Sequence, residues 1–171
     1  MRALVCDVSV PRQVVSAMLG RIDKRFFFGP FSPAALKEIP DPTLPADDWV
    51  VLQTRLCGIC GSDSKQMFLN GNMDNPMTAI ISFPQVLGHE VVGTVVQVGP
   101  KVTTRRVGDR VVLNPWLSCG PRGIVPPCPE CQRGQYSICR NFARGNLPPG
   151  IHTGNSSAAT GGYAPYVPAH E

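Results

Sequence analysis

Glycine and proline, which interrupt regular secondary structure, occur along the whole of this chain. Its 171 residues include 17 glycines and 18 prolines, and both residue types mark turns and end helices. Such a chain favours short strands joined by many turns over long helices. The run Val91–Val98 is the strongest predicted strand because it is rich in β-branched residues. Many short strands and little helix predict a mainly β barrel or barrel-like sandwich. No fixed-period repeat is visible.

Other short elements are predicted along the chain. Strands are predicted at Ala3–Cys6, Leu36–Pro40, Trp49–Leu56 and from Gly161 to Val167, where Pro165 implies an edge or a bulge. Val107–Leu113 is predicted as a turn followed by another strand. Gly93 likewise indicates a bulge or a close backbone approach. Helical turns are predicted at Gln13–Leu19 and from Ser62 to Asn70, with Ser62 and Asp63 as cap-like residues, and a polar loop at Asn70–Asn75. The aromatic cluster Lys24–Phe28 is interpreted as packing beneath a loop.

Composition excludes several classes of protein. A chain of 171 residues is long enough for one sizeable domain and its core. The net charge of +4 is mild, and the basic residues are scattered without aromatic interleaving, so no nucleic-acid partner is expected. No apolar run approaches a membrane span, and Asp7 interrupts the N-terminal one, which makes a poor signal peptide. The odd number of cysteines, seven, argues against a secreted disulfide framework, so we expect a reducing, cytoplasmic compartment.

Two short motifs carry candidate metal chemistry. Cys57–Asp63 holds two thiols, a hydroxyl and a carboxylate, and a polar pair, His89 and Glu90, follows further along. A thiolate and an imidazole suit zinc, and an open coordination position would make the site catalytic. We predict Cys60 and His89 as the ligands. Ser62 and Asp63 are then the candidate catalytic residues, Ser62 for proton transfer and Asp63 for accepting the free ring N–H of a ligand.

Four further cysteines form a second constellation. They are Cys119, Cys128, Cys131 and Cys139, separated by gaps of eight, two and seven residues. Four thiolates satisfy tetrahedral zinc and leave no open position, so this site would be structural. The surrounding lobe, at about 115–147, is rich in glycine and proline, and metal binding would supply its order. The alternative interpretation is that these four cysteines form disulfides or remain free thiols.

Several of the same residues have simpler interpretations that do not involve a metal ion. Cys57 and Cys60 form a Cys-x-x-Cys pair, but a redox dithiol would need a βαβ context, and none is apparent. Ser62 could cap the helix that follows the motif, which does not exclude proton transfer. His152 and His170 carry no motif, so we expect both at the surface.

The Cys57–Asp63 run, followed by Gly88, His89 and Glu90, resembles the zinc-dependent medium-chain alcohol dehydrogenases. The resemblance extends from about Ala35 to the last residue and implies a GroES-like, partly open β barrel. It also implies that Cys60 and His89 bind zinc. Glu90 either binds zinc in one state of the site or only hydrogen-bonds nearby groups. Since the family does not use the first cysteine of the motif as a ligand, Cys57 is interpreted as a small buried hydrophobe, and Cys6 is read in the same way.

Three features depart from the family pattern. The lobe is commonly spaced Cys-x2-Cys-x2-Cys-x7-Cys, so Gly120–Pro127 is an insertion here and the role of Cys119 is less secure. Lys65 stands where many members place the histidine that ends a proton relay, so either the relay ends differently or bulk water takes the proton. Roughly twenty extra residues, near 10–34, intervene between the first two strands.

The resemblance implies hydride transfer between a small alcohol or aldehyde and NAD or NADP. The sequence contains no Gly-x-Gly-x-x-Gly motif for a dinucleotide. The family's third catalytic ligand follows the Gly-Gly-Tyr-like strand by roughly twenty to thirty residues, and the chain stops before it. We therefore expect residues 1–171 to be the N-terminal catalytic domain of a longer enzyme, without its Rossmann domain and inactive alone. Whether the full-length enzyme forms a homo-oligomer is open.

A second interpretation is not enzymatic. The same residues could form a stand-alone zinc-binding β module, structural or regulatory. A third interpretation, a zinc-free quinone reductase relative, is disfavoured because both zinc constellations are present.

Overall fold

The computed structural model describes residues 1–7, 10–28, 32–69 and 80–171. The strands are β1 (Arg2–Cys6), β2 (Ala34–Glu38), β3 (Trp49–Gly58), β4 (Gln85–Val86), β5 (Glu90–Val98), β6 (Arg110–Val112) and β7 (Tyr166–His170). The α-helices are α1 (Val10–Gly20), α2 (Gly61–Met67) and α3 (Pro129–Gln132), and 3-10 turns cover Lys24–Phe28 and Tyr136–Ile138. The predicted mainly β architecture with short helices is confirmed. The loop predicted at Asn70–Asn75 lies outside the described residues.

The strands form two antiparallel sheets, in the orders β2-β1-β4 and β6-β5-β3-β7. In the second sheet β3 and β5 are paired from Val50 opposite Val98 to Gly58 opposite Glu90. Cys60 follows the end of β3, and His89 precedes the start of β5. This pairing therefore brings two segments that are distant in the sequence to the same edge of the sheet.

The β3–β5 ladder contains the irregularity predicted at Gly93. The register shifts between Thr54 and Leu56, opposite Gly93 and its neighbour, so one residue of β3 has no partner there. A Cβ atom at Gly93 would lie 3.0 Å from the carbonyl oxygen of Gln53. The bulge and the close backbone approach are both present, which confirms the prediction.

Two clusters of apolar side chains anchor β3. The first fills the four-stranded sheet and consists of Val50, Leu52, Val95 and Ala169. The second joins the start of β3 to the cysteine lobe and consists of Trp49, Leu117, Leu147 and Ala159. Leu117 and Leu147 lie on either side of the four lobe cysteines in the sequence. The lobe is therefore attached to the sheet through the buried side chain of Trp49.

The strand predicted from Gly161 begins only at Tyr166, so that boundary was wrong. Backbone N–H groups of Gly161 and Tyr163 donate to the carbonyl oxygens of Val86 and Leu87, at 2.8 and 3.0 Å. A Cβ atom at Gly161 would lie 2.3 Å from the carbonyl oxygen of Gly88, so only glycine permits this contact. The prediction of an edge position is confirmed, since β7 is the last strand of its sheet.

The additional N-terminal residues form α1 and the 3-10 turn at Lys24–Phe28. Phe27 is buried and Phe28 is exposed, and both rings meet Phe68 edge-on with centroids 5.5 Å apart. Part of the aromatic cluster therefore packs against Phe68, the residue that follows α2. In the described part of the chain no helix is long and apolar enough to cross a membrane.

Candidate metal centres

The first candidate centre is built at the start of α2. Cys60 is the N-cap residue, with φ −82° and ψ 152°. The carboxylate of Asp63, in the first turn, accepts a hydrogen bond of 3.2 Å from the backbone N–H of Cys60. The helix begins at Gly61, so the interpretation of Ser62 as a cap residue was wrong: Ser62 lies inside the first turn. Capping by Asp63 fixes the direction of the backbone at Cys60.

The structure brings three of the predicted site residues together. The Sγ atom of Cys60, a ring nitrogen of His89 and a carboxylate oxygen of Glu90 all lie within 4.8 Å of one another. His89 follows Gly88, whose φ of +93° favours glycine. A Cβ atom there would lie 2.8 Å from the sulfur of Cys57. The backbone turn that delivers the imidazole therefore depends on the absence of a side chain.

Asp63 lies behind this centre and is 1% exposed. One carboxylate oxygen accepts the backbone N–H of Gly88 at 3.2 Å and lies 3.6 Å from Nδ1 of His89. The other accepts the backbone N–H of Cys60 and the hydroxyl of Tyr163, at 3.2 and 3.1 Å. Nδ1 of His89 is buried and has no hydrogen-bond partner among the described residues. Asp63 therefore faces the predicted ring N–H, at a separation slightly too long for a hydrogen bond.

The charges around the centre favour a thiolate at Cys60. The pKa of Cys60 is lowered, first by the Ser62 side chain, then by the Ser62 backbone and, less strongly, by His89. The Ser62 hydroxyl is buried and forms no hydrogen bond of full geometry with a described residue, so it acts on the Cys60 sulfur through its proximity. Burial instead raises the pKa of Cys57 to about 11. Because the thiolate is the metal-binding form, Cys60 is the better donor of the two.

Asp63 and His89 shift each other's pKa. Burial acts to raise the pKa of Asp63, but His89 and the two backbone N–H donors outweigh it and lower that pKa. At His89, the neighbouring Asp63 raises the pKa more than burial lowers it. The carboxylate therefore stays ionised and stabilises positive charge on the imidazole.

His152 was predicted at the surface, and that prediction was wrong. The residue is 5% exposed, and its ring lies against that of His89, with centroids 4.2 Å apart and planes inclined by 36°. Its Nδ1 lies 2.8 Å from the carbonyl oxygen of Thr153, and burial lowers its pKa to about 4. No local motif marks His152, and only the fold brings it to His89. His170 is partly exposed and contacts the carboxylate of Asp48 at 3.3 Å.

Tyr163 is a second residue that the sequence did not identify. Its hydroxyl lies 3.1 Å from the carbonyl oxygen of Gly58 and 3.1 Å from a carboxylate oxygen of Asp63. Burial and the charge of Asp63 raise the pKa of Tyr163, so its hydroxyl remains a donor. Lys65, in contrast, is exposed on α2.

The second candidate centre is the cysteine lobe. The sulfur atoms of its four cysteines all lie within 4.8 Å of one another. The sulfurs of Cys119 and Cys139 are 3.7 Å apart, and every cysteine of the chain is a free thiol. The backbone N–H of Cys128 donates to Cys119, and that of Asn141 donates to Cys139, at 3.4 and 3.3 Å. Cys119 therefore joins the other three despite the longer gap that precedes Cys128.

The insertion between Cys119 and Cys128 contributes Arg122, which is fully buried. Its guanidinium donates to five backbone carbonyl oxygens at 2.6 to 3.2 Å, those of Leu117, Arg144, Leu147, Pro148 and Gly150. Burial lowers the pKa of Arg122, while the nearby Cys139 and Cys119 act to raise it. The insertion thus holds together the two ends of the lobe.

Both donor sets fit zinc. Four converging thiols are the usual set of a closed structural site, and their N–H···S contacts suit thiolates. Cys60, His89 and Glu90 supply sulfur, nitrogen and oxygen donors around one point, and the buried Nδ1 of His89 faces an ionised carboxylate. A site with three protein donors leaves room for a further ligand, as catalytic zinc sites do.

Residues 46–171 match the family described as Alcohol dehydrogenase GroES-like domain. Similar curated proteins include (R,R)-butanediol dehydrogenase of Saccharomyces cerevisiae, 37% identical over an alignment of 116 positions that covers 60% of this chain and 30% of that protein. Sorbitol dehydrogenase of Bombyx mori is 40% identical over 104 residues, 61% of this chain and 27% of that protein.

Solved structures show the same relationship. Galactitol-1-phosphate dehydrogenase from Escherichia coli superimposes with a TM-score of 0.62 at 26% identity. The superposition covers 100% of this chain and 36% of the other. The chain thus spans about a third of the length of the relatives it matches.

Proposed function

The chain belongs to the alcohol dehydrogenase GroES-like domain family, and on that basis we propose that it supplies the zinc-binding catalytic part of an alcohol or polyol dehydrogenase. This membership confirms the resemblance and the GroES-like fold expected from the sequence. The observation that carries the proposal is the convergence of Cys60, His89 and Glu90 beside the buried carboxylate of Asp63. The names of relatives, which include butanediol and sorbitol dehydrogenases, support a small alcohol or diol as substrate.

Each donor has a distinct role in this proposal. Cys60 and His89 would hold the zinc ion, and the exposed Glu90 would be a donor that can bind or release it. When bound there, zinc would act as a Lewis acid towards the substrate oxygen. Asp63 would orient the imidazole of His89 from behind, because its carboxylate is already engaged by Cys60, Gly88 and Tyr163.

Ser62 is the proposed proton-transfer group. Its hydroxyl lies in the first turn of α2, close to the sulfur of Cys60, and forms no hydrogen bond with a described residue. It would therefore take up the proton that an alcohol loses on oxidation while its own hydroxyl proton passes on towards solvent. Lys65 is exposed on the same helix, so the proton would reach bulk water without a histidine relay.

The hydride acceptor would be NAD or NADP, since a dehydrogenase needs a cofactor for this step. These 171 residues contain no Gly-x-Gly-x-x-Gly turn. Another part of a complete enzyme would hold the dinucleotide, and residues 1–171 would form one domain of it. The lobe cysteines, Cys119, Cys128, Cys131 and Cys139, would hold a second, structural zinc.

Turnover tests this proposal. Joined in one chain to a dinucleotide-binding domain, these residues should oxidise simple alcohols or diols with NAD or NADP. Ser62→Ala should lower kcat roughly a hundredfold, because proton transfer loses its positioned acceptor. Ser64→Ala, on the same helix, is the matched control and should leave kcat unchanged. Equal kcat values for Ser62→Ala and the parent protein would contradict the role of Ser62.

The isolated polypeptide gives the complementary measurement. Residues 1–171 alone should bind neither NAD(H) nor NADP(H) and should oxidise no alcohol, because much of the rate depends on holding both reactants in contact. Fluorescence titration with each cofactor and a coupled assay measure this. Robust zinc-dependent turnover by the isolated polypeptide would overturn the assignment of its role.

A further inference from the structure

Three separate segments of the chain meet at the carboxylate of Asp63. The first contains Cys60, whose backbone N–H donates to it at 3.2 Å. The second contains Gly88, which donates at 3.2 Å and leads directly into His89. The third contributes Tyr163, whose hydroxyl contacts the carboxylate at 3.1 Å from 100 residues along the chain. Both predicted zinc ligands therefore depend on one carboxylate that a third segment holds.

Tyr163 is well placed to fix that carboxylate. Its backbone N–H donates to the carbonyl oxygen of Leu87, and its carbonyl oxygen accepts the N–H of Leu4, both at 3.0 Å. Its ring lies so close to Gly88 that a Cβ atom there would be 2.9 Å from the ring. The phenol therefore approaches Asp63 from a rigid position, on the β1 side of the site.

The hydroxyl of Tyr163 has two acceptors within reach, the carboxylate of Asp63 and the carbonyl oxygen of Gly58, each at 3.1 Å. Hydrogen bonds to an ionised acceptor are the stronger kind. Gly58 is the last residue of β3, two positions before Cys60. The hydroxyl has one proton to donate, and its position between these two acceptors places the carboxylate of Asp63 beside the strand end that precedes Cys60.

We propose that Tyr163 is a positioning residue of the candidate catalytic centre, which it serves by holding Asp63 against the backbones of Cys60 and Gly88. This inference rests on the proposed function, because it assumes that Cys60 and His89 bind a metal ion. Without the hydroxyl, the carboxylate loses the anchor that neither ligand segment provides. His89 then loses part of the support that orients its ring.

Cobalt(II) substitution of the protein, with the lobe metal in place, tests the proposal. The probe is the cobalt ion, and the variant is Tyr163→Phe, which removes one oxygen atom. We expect roughly a 10- to 100-fold loss of cobalt affinity at Cys60 and His89, the range known for groups that support metal ligands. The visible absorption bands of the bound cobalt should also change, which a general loss of stability would not produce.

Two matched variants complete the design. Tyr166→Phe, in β7, removes a hydroxyl that forms no hydrogen bond with a described residue and should leave cobalt affinity and spectrum unchanged. Asp63→Asn should weaken cobalt binding at least as much as Tyr163→Phe. An unchanged affinity and spectrum in Tyr163→Phe, with a clear loss in Asp63→Asn, overturns the role of Tyr163 alone. If the parent protein binds no cobalt at Cys60, both this inference and the proposed function fail.

Discussion

Arg122 carries a buried charge whose hydrogen bonds all go to the backbone of its own lobe. Its five acceptors lie at both ends of that lobe, at Leu117 and across residues 144–150. A buried guanidinium is stable only when its donors are satisfied, and these carbonyls would lose their partner without it. The nearby thiols of Cys119 and Cys139 add favourable charge when ionised. One side chain of the insertion thus stabilises the lobe through hydrogen bonds that do not involve a metal ion.

Arg122→Met should therefore destabilise the protein strongly. We expect a loss of about 3 kcal/mol or more in the free energy of unfolding, because buried carbonyl oxygens are left without donors. Urea denaturation of the zinc-loaded protein measures this loss. Arg144→Met replaces an exposed arginine of the same lobe and should change the free energy little. Equal denaturation midpoints for Arg122→Met and the parent protein would contradict the role given to Arg122.

Elements that local sequence determines were predicted best. β3, β5 and the cysteine lobe follow from β-branched runs and from ligand spacing, and each lies where the sequence placed it. The residues missed were those that depend on contacts between distant segments. His152 reaches His89 only through the fold, and Gly161 donates to the carbonyl oxygen of Val86 rather than entering a strand. No local propensity encodes such contacts, because they arise between segments far apart in the sequence.

A substitution in the lobe tests whether Cys119 is a metal ligand. Its sulfur lies 3.7 Å from that of Cys139 and within 4.8 Å of all three other sulfurs. Cys119→Ser should weaken zinc binding and expose the lobe to proteolysis, because metal binding is part of the free energy that folds it. Chelator competition and limited proteolysis measure both effects, with Cys131→Ser as the reference for a lost ligand. Zinc retained by Cys119→Ser but lost by Cys131→Ser would show that another group completes the site.

At the scale of the whole molecule, the two candidate centres are joined by one short stretch of chain. Arg122 binds the carbonyl oxygen of Gly150, and two residues later His152 stacks on His89. His152 also forms a backbone bridge with Trp116, at the start of the lobe. The folding of the lobe is therefore linked to the position of His152, which packs against the candidate zinc ligand His89.

The two centres should nevertheless hold zinc with different strength. The lobe offers four buried thiols, whereas the other centre offers Cys60, the half-buried His89 and the exposed Glu90. A complete, water-excluded set of thiolates binds zinc more tightly than an open site. Elemental analysis of the 171-residue chain after gel filtration should therefore give nearer one zinc per chain than two. Cys131→Ser should lower that value much more than Cys60→Ser. Folded, metal-free protein with intact thiols would contradict the assignment of the lobe, and two tightly held zinc ions would contradict the open character of the centre at Cys60.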